Sequence, residues 1–133
     1  MFFDKKKESD LIKVSALLIH AAKIDQNYSS QEQKIIKQTL REFGADDENL
    51  EEILKNGEKI ENDSVQILDY TREIKSMNQE NKVKIIETLW RIIYSNKDAD
   101  MYETNLMRRL AGLLYIDNKT MGDIKERIKN QNL

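Results

Sequence analysis

The chain has 133 residues and contains neither cysteine nor proline. Without cysteine there is no disulfide, no thiolate metal site and no thiol nucleophile, which suits a reducing compartment. Without proline, nothing interrupts a long helical period. The four glycines, Gly44, Gly57, Gly112 and Gly122, are too scattered to build a phosphate-cradling loop. His20 is the single histidine, so any histidine-based metal cluster or triad would rest on one imidazole. Its place between apolar stripes makes a half-buried, hydrogen-bonded histidine the expectation. No run approaches the roughly 20 apolar residues that span a bilayer. The segment Met1 to Glu8 holds Phe2, Phe3 and three lysines but lacks the apolar centre of a signal peptide, so a cytoplasmic protein is expected. That segment reads as a flexible tail, frayed or locally docked, with contact to an anionic membrane surface as the alternative. A net charge of −2 is too small for a dedicated nucleic-acid binder.

What is present is helical periodicity. One domain over 9–133 is expected, large enough to bury a core without cross-links. Ser9 or Asp10 caps a first helix to about Ile24, apolar on most sides through Leu11, Val14, Leu18 and Ala21, and therefore central. Ser29 with Glu32 is a capping-box signature for a second helix that stops at Phe43 and Gly44. Asp46 or Asp47 starts a short third helix that Asn56 and Gly57 end. A fourth runs from about Asp63 through Ile74. Asn78 caps a fifth carrying Ile85, Ile86, Leu89, Trp90, Ile92 and Ile93. Asp100 with Glu103 opens a sixth through Leu114, and Asp117 or Asn118 a seventh with Met121, Ile124 and Ile128. No segment alternates as a half-buried strand does. The fold class is all-α, a single compact bundle of about seven helices.

A pattern recurs 71 residues apart. Leu18, Ala21 and Ala22, then Asp25, Asn27, Ser29 and Glu32, then Ile35, Ile36 and Phe43 are answered by Leu89, Ile92 and Ile93, then Asn96, Asp98, Asp100 and Glu103, then Leu106, Met107 and Leu114. Two similar helical hairpins around one core are expected rather than a solenoid, which needs at least three units.

The two hinges are the candidate site. Asp25, Asn27, Ser29 and Glu32 in the first, and Asn96, Asp98, Asp100 and Glu103 in the second, put oxygen-bearing side chains at alternate positions with a carboxylate one turn into the next helix. Calcium and magnesium take such hard oxygen ligands. The sixth position of an EF-hand loop, a glycine, is here Ser30 or Met101, and the twelfth, a bidentate Glu, is Ile36 or Met107, so neither hinge is an EF-hand. The same atoms equally serve as helix caps and turn formers. Between Glu42 and Asp63, nine carboxylates meet only Lys55 and Lys59, leaving seven net negative charges. That acidic arm reads either as a solvated face or as a surface for cations or a basic partner. Arg108, Arg109, Lys125, Arg127 and Lys129 form a basic counterpart or solvated surface. Trp90, Tyr94, Tyr102 and Tyr115 read as core rather than a ligand cage.

The run from Ala21 to Glu32, and the second copy from Leu89 through Glu103 to Leu110, resembles the tellurite-resistance TerB-like family over roughly Leu11 to Ile116. In that family an apolar helix ends in an Ala-x-Ala-Asp-Gly type hinge and a Glu opens the next helix. Here the hinge glycine is Gln26 and Lys97, and Asn96 stands where an Asp is usual. The resemblance implies an all-helical, non-enzymatic module linked to stress response, acidic patches, cation interaction and membrane-associated complexes. The expectation is therefore an interaction module without catalytic residues or cofactor, docking a protein partner. Nucleic acid is not expected, and membrane association would be peripheral, through a membrane-protein partner. The alternative is a divalent-cation sensor using the hinges. A metal-dependent hydrolase ranks last, for want of a base or substrate pocket.

Overall fold

Nine-residue stretches of nearly unbroken burial mark the two central helices of the computed structural model, which describes residues 5–23, 30–63, 68–95 and 101–131. Among these residues there are seven helices and no strand: α1 Lys5–Lys23, α2 Ser30–Glu42, α3 Asp47–Asp63, α4 Leu68–Lys75, α5 Gln79–Tyr94, α6 Met101–Leu113 and α7 Asn118–Gln131. In α1 Val14, Ala16, Leu17, Leu18, Ile19, Ala21 and Ala22 are all buried, and in α5 Ile85, Ile86, Leu89, Trp90, Ile92 and Ile93 are. A helix apolar on all sides is stable only when other helices surround it. Accordingly α3 and α4 lie along α1, α7 lies along α5, α2 bridges the two, and α1 touches α5.

Local chemistry sets the ends. Asn78 caps α5 by accepting from the Asn81 N–H at 2.8 Å. Asp46 accepts from the Glu48 and Asn49 N–H groups at the start of α3, each at 3.0 Å. Asp117 does the same for α7 through Thr120 N–H at 2.6 Å. At the end of α2, Ala45 N–H reaches back to the Leu40 carbonyl at 3.0 Å across Gly44 with φ +109°. At the end of α6, Ile116 N–H reaches the Ala111 carbonyl at 2.9 Å across Tyr115 with φ 58°. Both are left-handed C-terminal caps.

Three expectations are corrected. α1 begins at Lys5 rather than Ser9, so 5–8 of the expected tail is helical and residues 1–4 lie outside the described residues. α3 does not end at Gly57 but runs through it to Asp63. Gly57 is buried against α1, and a Cβ there would stand 1.9 Å from Ser15 Oγ. The glycine serves close helix packing, and tertiary burial outweighs its poor helix propensity. The described part of α4 is Leu68–Lys75, and the expected start near Asp63 falls against 64–67, which lie outside the described residues. Trp90 and Tyr94 are buried and stacked at 5.8 Å as expected, but Tyr115 is 71 % exposed. Its left-handed backbone turns it outward, and the next residue, Ile116, enters the core. The side chain of Tyr102 lies outside the described residues.

Candidate functional site

Of the eight hinge candidates, Asp25, Asn27, Ser29, Asn96, Asp98 and Asp100 lie outside the described residues, as does the side chain of Glu103 within α6. Glu32 is described. It sits in the first turn of α2, where the helix dipole favours a carboxylate, and is buried to 1 % exposure. Among the described residues no three acids, histidines or cysteines are grouped to hold a metal ion.

The acidic arm is largely solvated. Asp46 is spent on capping, while Asp47, Glu48, Glu51, Glu52, Glu58 and Asp63 are exposed. Its ion pairs run to α1 and α2: Glu61 holds Lys23 at 2.9 Å, Glu51 meets Lys37 at 3.2 Å and Asp47 meets Arg41 at 3.4 Å. Among the described residues no ion pair joins the arm to Arg108, Arg109, Lys125, Arg127 or Lys129. Arg127 instead reaches Glu87 at 3.0 Å, and the Lys125 ammonium lies 5.4 Å from the centre of the Trp90 ring. His20 is half-buried as expected, but its Nδ1 stands 3.6 Å from Glu61, beyond hydrogen-bond reach. Its ring lies tilted against Tyr70 at 6.1 Å.

Alongside the arm runs a feature that sequence reading missed. A groove of about 490 Å³ runs along α2, lined by Lys34, Lys37, Gln38 and Arg41 together with Ile35, Thr39 and Arg91 of α5. The cations at 34, 37 and 41 recur at intervals of three and four, the spacing that shares one helix face. That signal was legible, but the contribution of Arg91, 50 residues later, was not. Beneath the groove Thr39 and Thr88 join hydroxyls at 2.8 Å in the core, fixing α2 on α5.

Polar ties elsewhere hold the frame. Lys13 of α1 donates to Glu73 of α4, and this hydrogen bond outweighs burial to hold the Glu73 carboxyl below its ordinary value of 4.5. The buried Lys82 ammonium donates to the Leu114 carbonyl at 2.9 Å, satisfying an open group at the end of α6.

A family model described as Tellurite resistance protein TerB matches residues 11–126. No curated protein and no solved structure matches the chain. No helix among the described residues is long and apolar enough to cross a membrane.

Proposed function

The chain belongs to the TerB tellurite-resistance family, and from that premise we propose that it is a non-enzymatic helical module that docks a protein partner within a stress-response or membrane-associated complex. The observation that supports this reading is the α2–α3 face, where a basic groove and an exposed acidic helix lie side by side. Adjacent stripes of opposite charge give orientation and partner choice, which suits recognition of another protein. The test is a photo-crosslinking scan in cells, placing benzoylphenylalanine singly at exposed positions of α2, α3 and α7. Adducts confined to one continuous face support docking, and the absence of any adduct refutes it.

A second reading is a divalent-cation sensor built on the hinges. Their carboxylate, amide and hydroxyl oxygens are the donors a hard cation takes, and the burial of Glu32 beside the first hinge favours it. On that reading Asp25, Asn27, Ser29 and Glu32, and Asn96, Asp98, Asp100 and Glu103, hold the ion, which would order each hinge. A saturable calcium shift in the Glu32 amide, abolished by Glu32→Gln, supports it; a still amide refutes it.

A further inference from the structure

The groove on α2 has a chemistry specific enough to select its occupant. We infer that it receives a helical segment of a partner protein whose acidic stripe faces Lys34, Lys37, Arg41 and Arg91 and whose neighbouring stripe is neutral or basic. The inference rests on the docking reading above and names the class of partner.

Four cations and one carboxylate, Glu42, line the groove. Among the described residues Lys34 has no ion pair. Two of the others lean on exchangeable acids, Lys37 on Glu51, which is 73 % exposed, and Arg41 on Asp47, which is 88 % exposed, while Arg91 stands 3.7 Å from Glu87, which holds Arg127 more closely at 3.0 Å. Exposed pairs of this kind contribute little, so an incoming carboxylate can replace them. Residues 34, 37 and 41 span two turns, about 10 Å along the axis at 1.5 Å per residue. Carboxylates at i, i+3 and i+7 of a second helix match that interval. Ile35, half-buried against the core, gives the floor an apolar contact for one aliphatic side chain of the occupant.

The acidic helix beside the groove decides between kinds of anion. Asp47 and Glu51 pair with two of the cations that line it, and Glu48 and Glu52 are exposed on the same helix. Nucleic acid carries charge at every phosphate, and an anionic bilayer is a continuous negative plane. Each would be driven against these carboxylates as it reached the lysines. A peptide helix can be acidic on one stripe and basic on the next, and so satisfies both surfaces at once.

The experiment titrates the whole chain against a fluorescein-labelled amphipathic helical peptide carrying Glu at i, i+3 and i+7, Leu at i+4 and Lys on the adjoining face. Amide NMR shifts are read in parallel. The expected result is saturable binding that weakens with salt, shifts centred on Lys34, Gln38 and Arg91, and a loss of at least about tenfold in the variant K34E/R91E. The exposed control K129E on α7 should bind as the parent does. A second variant, Gln38→Glu, reverses nothing structural and should also weaken binding. The inference is overturned by absent binding, by binding indifferent to K34E/R91E, by tighter binding of single-stranded RNA or phosphatidylserine vesicles, or by a concentration-dependent dimer that shows the occupant to be a second copy. If the peptide fails while crosslinks gather on another face, the groove is excluded and the docking module stands.

Discussion

Gly57 of α3 stands so close to Ser15 of α1 that a Cβ on the glycine would lie 1.9 Å from the serine hydroxyl and 3.2 Å from the Ala16 backbone nitrogen. Ser15 itself is buried and donates to the Ile12 carbonyl at 2.8 Å, within 3.3 Å of the Ile53 carbonyl. Neither neighbour can yield without breaking a hydrogen bond or moving a helix. Gly57→Ala should therefore destabilise the fold by about 1–3 kcal/mol through overpacking, despite the better helix propensity of alanine. Urea unfolding measures it. A stabilised G57A would show that α1 and α3 are not packed this closely.

The Thr39–Thr88 pair has a fixed direction. Each hydroxyl has one proton, and Thr88 donates its own to the Lys84 carbonyl at 2.9 Å, so Thr39 is the donor to Thr88. Thr88→Val leaves the Thr39 hydroxyl buried without its acceptor and should cost about 1–3 kcal/mol. The double variant T39V/T88V removes both groups and should recover most of that loss. A double-mutant cycle of unfolding free energies tests the coupling. Additive losses would contradict it.

Gly44 and Tyr115 occupy the same kind of left-handed cap with different freedom. Glycine takes φ +109° without a Cβ penalty, whereas Tyr115 at φ 58° carries one. The Lys75 ammonium 5.5 Å from the Tyr115 ring offsets a little of it. Tyr115→Gly should raise stability by about 0.5–1 kcal/mol and Gly44→Ala should lower it by about 1 kcal/mol. Thermal melts of the two variants should move in opposite directions.

Acid should loosen the frame through two carboxylates. The Lys13 hydrogen bond lowers the Glu73 pKa from its ordinary 4.5, and the Thr120 backbone N–H lowers that of Asp117 from 3.8. A depressed folded-state pKa means that the unfolded chain binds its proton first as pH falls. The stabilisation is thus fully present above these ordinary values and is lost as pH drops through the lower folded ones. Wild type should exceed Glu73→Gln and Asp117→Ala in urea midpoint at neutral pH, with both gaps closing below pH 4.5 and 3.8 respectively. A gap that widened in acid would reverse the assignment.

The all-helical class, the caps at Asn78, Asp46 and Asp117, and the central places of α1 and α5 were legible because each follows from local chemistry or a continuous period. Gly57 misled because a glycine that stops a helix and one that admits a neighbouring helix look alike until the neighbour is placed. Tyr115 misled because an aromatic at core spacing falls two residues past the end of α6, where the left-handed turn reverses its direction. The groove was half legible: Lys34, Lys37 and Arg41 share a face by spacing, while Arg91 joins them only through the packing of α2 on α5.

Sedimentation of the tagged chain in lysate of its native cells, at physiological and at high salt, tests the docking account most directly. The account expects the 15.7 kDa chain to travel within a larger assembly at physiological salt and to fall back to its own mass as salt screens the groove and the acidic helix. A chain that sediments as a 15.7 kDa monomer under both conditions would contradict it.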